Sequence, residues 1–164
     1  MEGKWIFLSH VLNKNHYSYG DGMRIDINTT NSIENGDTSN NTTLTLPTHF
    51  ATHIDYPYHF STTGKKGHEF NPNDFISNKI QLIDKSNIFT ANYYFTINDF
   101  CNIDFISNTE ILILKTGIGK YINEDIYWKA NPGICPKLAK YFKSKMPNIR
   151  FFGFDSISLT GRKY

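Results

Sequence analysis

Residues 48–60 read THFATHIDYPYHF and concentrate three histidines and one aspartate in a single short segment. Neutral imidazole and carboxylate are the side chains that borderline or hard divalent cations prefer as ligands. A single surface histidine is more often structural than a ligand, but clustering of this kind favours a metal site over chance. The clustering of His49, His53, Asp55 and His59 therefore predicts a metal site in this segment.

The spacing of these residues predicts the path of the chain. All four positions are odd, so their side chains would share one face of an extended strand. Pro57 argues against a helix and favours an extended conformation for the residue before it. Strand positions four apart are separated by about 13 Å, whereas ligands lie about 2 Å from their ion. We therefore expect a bend at Ala51 and Thr52 that brings His49 towards His53.

A set of two histidines and one aspartate also predicts a kind of chemistry. His53 and Asp55 are two positions apart on one face, about 6.6 Å at the backbone, and can reach the same ion. Such a ligand set leaves an open position for water, as in catalytic zinc sites. An ion lowers the pKa of that water, and a nearby free histidine can accept its proton. His59 is the candidate general base.

Composition limits the other functional classes. The 164 residues, 39% hydrophobic and 15% aromatic, predict one globular domain over residues 1–164. The net charge is only +2, and scattered Lys and Arg residues give no footprint for nucleic acid. No segment reaches transmembrane length, and the N-terminal apolar run is too short for a signal peptide. Cys101 and Cys135 do not form a disulfide framework. We expect a cytoplasmic protein without nucleic-acid or membrane partners.

Hydrophobic patterning predicts more strands than helices and therefore a mixed α/β fold. A hairpin turn is expected at Asn35 and Gly36, and the sequence GIGK at residues 117–120 lacks the spacing of a phosphate-binding loop and is expected to be a turn. A loop is expected at 17–22 and a helix at 136–144. The predicted strands cover residues 5–8, 24–28, 44–46, 79–83, 110–115 and 150–154.

The histidine segment resembles the His-x-Gly-Thr-His-x-Asp-x-Pro-x-His signature of the metal-dependent cyclase family, which includes bacterial kynurenine formamidases and isatin hydrolases. The resemblance extends to FLSH at 7–10, ILILKTGIGKY at 111–121 and FGFDSISL at 152–159, in the family's order. It implies a swivelling β/β/α domain with a mixed, barrel-like sheet and few helices. It also implies a metal-dependent amidohydrolase acting on small aromatic or cyclic amides, as arylformamidases act on N-formylkynurenine.

The resemblance further implies roles for the site residues. His49 and His53 would bind one metal, Asp55 would bridge two metals, and His59 would act as general base. The cofactor would be Zn²⁺, with Mn²⁺ as the alternative, and a complete family site holds two ions. A small-molecule amide substrate and a homo-oligomer are expected. A substrate-contacting aromatic residue would fall near residues 17–19, but no substrate-binding residue is assigned.

Two features depart from the family pattern. Ala51 stands where the signature has Gly, so a positive φ at the bend would be strained. The family's second-metal His and Glu follow the segment at 152–159, whereas this sequence stops at Tyr164. We therefore expect at most one metal per chain. The sequence would then be a fragment or a natural truncation, or its site would hold a single metal, or another chain would complete the site. The alternative to an enzyme is a catalytically impaired metal-binding or assembly module of the same fold.

Overall fold

The computed structural model describes residue 7, residues 9–14 and residues 24–161. Of the predicted strand over residues 5–8, the structure describes residue 7 alone. The predicted loop over residues 17–22 lies outside the described residues. The chain divides between Phe70 and Asn71 into two compact units. The single-domain organisation stays a prediction.

The first unit contains a β-hairpin followed by the histidine segment. Strands β1 (Asp26–Asn31) and β2 (Asn41–Thr45) pair antiparallel. A short 3₁₀ helix, Ile33–Asn35, lies in the connection and ends at Gly36, whose φ is +92°. Glycine adopts this left-handed conformation without steric cost, and the predicted turn at Asn35 and Gly36 is confirmed.

The second unit is built on a small parallel sheet. Its strands, in chain order, are β3 (Ile80–Asp84), β4 (Tyr94–Phe95), β5 (Ile111–Lys115), β6 (Gly133–Ile134) and β7 (Phe151–Phe154). Strands β3, β5 and β7 form one parallel sheet in that order, and β4 pairs with β6 in a separate two-stranded parallel sheet. The α-helices of the described residues are α1 (Asp125–Lys129) and α2 (Lys137–Lys145).

The core of the second unit lies between the central strand and α2. Leu112 and Leu114 of β5 are buried, and Leu138 and Phe142 of α2 belong to the same apolar cluster. Phe100 packs edge-to-face on Phe142, with ring centroids 5.0 Å apart. Burial of each such side chain contributes about 1.5–3 kcal/mol. The core therefore fixes the sheet and with it the loops that follow β5 and β7.

The described residues form a mixed α/β fold with few helices, as the sequence predicts. Their strands belong to three separate sheets, and this part of the chain contains no closed barrel, unlike the barrel-like sheet that the family resemblance implies. Among the residues described, none of the helices has the length and apolar character required to cross a bilayer.

Candidate metal centre

The backbone around the histidine segment is held by local hydrogen bonds. Tyr56 is extended (φ −85°, ψ 157°), and residues Pro57–His59 form a 3₁₀ helix with Pro at its first turn. The residue before a proline is disfavoured in the α region, so the proline sets this change of direction. The His59 N–H donates to the Tyr56 carbonyl at 2.8 Å. Gly64 approaches so closely that a Cβ there would overlap the Pro57 carbonyl group.

The predicted bend between His49 and His53 is present at Ala51. Its φ is +52°, in the left-handed region that glycine favours. This conformation costs an L-residue about 1–2 kcal/mol. The Ala51 carbonyl oxygen lies 2.9 Å from Nδ1 of His53. Sequence reasoning located the bend and the strain that Ala51 would bear there, but it missed the contact of this carbonyl with the imidazole.

The three residues proposed as ligands lie together around one oxygen atom. Oδ1 of Asp55 is 2.8 Å from Nδ1 of His49 and 3.4 Å from Nε2 of His53. The two histidine nitrogens are 3.2 Å apart. Tetrahedral ligands at about 2.0–2.1 Å from a zinc ion are roughly 3.3 Å from one another. The donor atoms and their spacing therefore fit a single zinc-sized ion.

His59 lies beside this cluster. Its ring centroid is 3.9 Å from that of His49, with an angle of 41° between the rings. His49, Asp55 and His59 each offer a ligand atom within 4.8 Å of the others, which makes them a possible metal-binding group as well. This distance suits either an additional ligand or a base that acts next to the ion. The role of His59 as a base stays a prediction.

The cluster is open to solvent. The side chains of His49, Asp55 and His53 are 40%, 39% and 32% exposed. Ion pairs and hydrogen bonds at such exposure are screened by water and contribute little to stability. The contacts within the cluster therefore add little to stability, and its side chains are accessible to water.

Aromatic and cationic side chains flank the histidines. Phe60 is 82% exposed, and its ring centroid is 4.2 Å from that of His59. Nζ of Lys66 lies 4.7 Å from the ring centroid of Tyr58. An exposed ring beside this histidine offers an apolar surface on which another ring can stack.

The turn at residues 117–120 binds a carboxylate of its own chain. Oδ1 of Asp155 accepts hydrogen bonds from the backbone N–H of Thr116 at 2.7 Å and from its hydroxyl at 2.8 Å. Oδ2 accepts from the Gly117 N–H at 2.9 Å. Gly117 has a φ of +86°, and a 3₁₀ helix follows it. The predicted turn is confirmed, and the N–H groups of Thr116 and Gly117 are satisfied by a side chain of the same chain.

A buried asparagine holds the segment that follows β7. Nδ2 of Asn131 donates to the carbonyl groups of Ser158 at 2.9 Å and Thr160 at 3.1 Å. Its Oδ1 accepts from the N–H of Ile157 at 3.0 Å, and the residue is fully buried. One side chain from 26 to 29 positions earlier in the sequence therefore holds the backbone of residues 157–160.

Comparison with known proteins identifies the family of the chain. The sequence model of the cyclase family matches residues 6–160, so the chain belongs to the cyclase family. Within that class, the chain is similar to a kynurenine formamidase from Geobacillus thermodenitrificans (strain NG80-2), with 31% identity over 112 residues. The match covers 68% of this chain and 49% of the relative, so the chain spans about half the length of that protein. The resemblance inferred from the histidine segment is confirmed.

Proposed function

We propose that this chain carries the metal-binding part of a hydrolase that cleaves amide bonds in small aromatic or cyclic substrates, of the arylformamidase type acting on N-formylkynurenine. The observation that carries the proposal is the convergence of His49 and His53 on Oδ1 of Asp55, at 2.8 and 3.4 Å. Membership of the cyclase family and the likeness to a kynurenine formamidase support the reaction class.

Three residues would hold the metal in this proposal. His49, His53 and Asp55 supply imidazole nitrogen and carboxylate oxygen, a set that suits Zn²⁺ and also Mn²⁺. A bound ion of this kind acts as a Lewis acid and lowers the pKa of water. One ion per chain is proposed for these residues, because Asp55 alone would be a poor site for a second divalent ion without further ligands.

His59 would transfer the protons of the reaction. Water adds to the formyl carbon, the carbon–nitrogen bond breaks, and the products are formate and an aromatic amine. Imidazole exchanges protons near neutral pH, so His59 can accept a proton from the attacking water and return it to the leaving nitrogen. Its ring lies against His49, with centroids 3.9 Å apart, close to the place where these bonds change.

The other features of the proposal rest on the sequence. The net charge of +2 and scattered basic residues favour a small-molecule substrate over nucleic acid. We propose a homo-oligomer located in the cytoplasm. The alternative, a metal-binding or assembly module of the same fold without turnover, is distinguished from an enzyme by the experiment below.

The decisive measurement is metal content together with formamide hydrolysis. The 164-residue chain is equilibrated with Zn²⁺ or Mn²⁺, freed of unbound metal and analysed for metal per chain and for hydrolysis of an aryl formamide. We expect about one ion per chain, and its loss in Asp55→Asn and His49→Ala because each removes a donor atom. His68→Ala, a histidine outside the cluster, is the control that keeps the ion.

The outcomes separate the two functions. Hydrolysis that requires the ion and disappears in Asp55→Asn supports the enzyme. Binding of the ion without hydrolysis supports the metal-binding module. No binding by the unmodified chain, binding unchanged in Asp55→Asn, or two tightly bound ions would contradict the proposed site.

A further inference from the structure

The hydrogen bond between Ala51 and His53 determines where the imidazole proton resides. The Ala51 carbonyl oxygen lies 2.9 Å from Nδ1 of His53. A carbonyl oxygen only accepts hydrogen bonds, so Nδ1 must carry the proton. In the neutral ring Nε2 is then unprotonated and has a lone pair to offer.

The unprotonated nitrogen is the one that faces the cluster. Nε2 of His53 lies 3.2 Å from Nδ1 of His49 and 3.4 Å from Oδ1 of Asp55. An ionised carboxylate is also only an acceptor, so the 2.8 Å contact between His49 Nδ1 and Asp55 Oδ1 requires a proton on His49. The same His49 N–H lies 3.2 Å from Nε2 of His53, so Oδ1 and Nε2 can both accept from it, and both neutral rings carry their proton on Nδ1 when no ion is bound.

We infer that Ala51 is a positioning residue: its carbonyl oxygen, oriented by the positive φ, holds His53 in the Nδ1-protonated tautomer and keeps Nε2 for a metal. The assignment of the tautomer stands without a metal, whereas the use of Nε2 as a ligand rests on the proposed function. Binding of an ion then leaves the His53 tautomer unchanged. His49 presents Nδ1 to the cluster and must move its proton to Nε2.

The test is NMR of the 164-residue chain labelled with ¹⁵N-histidine, at about pH 8.5, where an ordinary histidine is neutral. Long-range proton–nitrogen correlations distinguish the two tautomers of each ring. We expect His53 to be protonated at Nδ1 with and without Zn²⁺, and His49 to change from Nδ1 to Nε2 protonation when Zn²⁺ is added. A His53 ring protonated at Nε2 in the metal-free chain would overturn the inference.

Two variants at one position test the part played by Ala51. Ala51→Gly accepts the positive φ and should keep both the His53 tautomer and the Zn²⁺ affinity within about twofold. Ala51→Val carries a branched Cβ that resists a positive φ, so the carbonyl should turn away. We expect loss of the Nδ1-protonated His53 and Zn²⁺ binding weakened by about 10- to 100-fold, the usual effect of losing a hydrogen bond to a metal-ligating histidine.

The role of Ala51 and the binding of Zn²⁺ each have their own contradicting result, and the tautomer has a control variant. Thr52→Gly adds flexibility at the next residue, whose φ is not positive, and should leave the His53 tautomer unchanged. An unchanged tautomer in a folded Ala51→Val variant would show that this carbonyl does not hold the ring. If Ala51→Val does not fold, Ala51→Gly decides, since a changed tautomer there overturns the inference. Correct tautomers with no Zn²⁺ binding would contradict the proposed function alone.

Discussion

At the scale of single residues, His59 differs from the other histidines of the cluster in what its ring contacts. His49 and His53 contact the carboxylate of Asp55, whereas the contacts of His59 within the described residues are with the rings of His49 and Phe60. His59 therefore lies beside the cluster without an ion pair to Asp55, and its imidazole can accept and return protons near neutral pH.

Replacement of His59 separates a base from a ligand. In the active protein, His59→Ala should lower turnover by roughly a hundredfold or more, the scale of losing a general base. Bound Zn²⁺ should stay nearly unchanged, as measured by elemental analysis alongside the rate. His68→Ala is the matched control and should change neither quantity. Proportional loss of metal and activity in His59→Ala would make His59 a ligand instead.

Much of the cluster could be predicted from residue spacing alone. The odd positions and the distance argument placed a bend at Ala51, where φ is +52°. The contact between the Ala51 carbonyl and His53 could not be predicted, because the direction of a carbonyl group depends on backbone angles that the sequence does not give. The one feature of the sequence that pointed to this contact was an alanine, in place of glycine, at a position where the chain must bend.

At the scale of elements, the loops after β5 and β7 are joined by one carboxylate. Asp155, directly after β7, accepts hydrogen bonds from Thr116 and Gly117, directly after β5. The carboxyl ends of parallel strands meet at the same edge of a sheet, so loops that are far apart in sequence become neighbours there. A charged acceptor with three short hydrogen bonds fixes both loops.

Removal of this charge should destabilise the second unit. Asp155→Asn keeps the shape of the side chain but places an amide NH₂ group where an acceptor is needed, which should lower the free energy of unfolding by about 2–3 kcal/mol. Urea denaturation measures this change. Asp125→Asn, which removes an exposed ion pair with Lys129 in α1, is the control and should lower the free energy of unfolding far less, because water screens this pair. Equal effects of the two substitutions would contradict the bridging role.

The longer elements could be predicted from the sequence and the shortest could not. The strand predicted at 79–83 is Ile80–Asp84, and the helix predicted at 136–144 is Lys137–Lys145. Strand β2 begins three residues before the predicted 44–46, because polar Asn and Thr residues pair in the hairpin without an apolar pattern. Strands β4 and β6 contain two residues each, too few to show any periodicity. Helix α1 was missed because its five residues make fewer than two helical turns, too few to show a helical period.

At the scale of the whole molecule, stability should depend on pH at both extremes. Hydrogen bonds from Arg150, and then from Lys79 and Ser77, lower the pKa of Glu110 from 4.5 to about 2. A carboxylate with a lowered pKa stabilises the fold above its unfolded pKa, and this contribution is lost as the pH falls through about 2. Burial, and then the charge of Asp155, raise the pKa of Tyr127 from 10.0 to about 12.

Substitution of Tyr127 tests whether this residue causes the loss of stability at alkaline pH. A phenol with a raised pKa contributes stability that is fully present below pH 10.0 and is lost as the pH rises through about 12. We expect the free energy of unfolding of the unmodified chain to fall between these values, and to fall less in Tyr127→Phe. Urea denaturation at several pH values measures the difference. Tyr58→Phe, at a half-exposed tyrosine, should behave like the unmodified chain, and identical curves for Tyr127→Phe would contradict the assignment.

The parallel sheet also has a consequence for how the chain acquires its structure. Ile80 pairs with Ile111, 31 positions later, and Ile111 pairs with Phe151, 40 positions later. Such long loops must close before pairing stabilises them, so folding of this sheet is slow. The hairpin joins Asn31 to Asn41, 10 positions apart, and hairpins form in about 1–10 μs. During synthesis, β5 can pair with β3 but must wait for β7 on its other edge, and in that interval this open edge is exposed to aggregation.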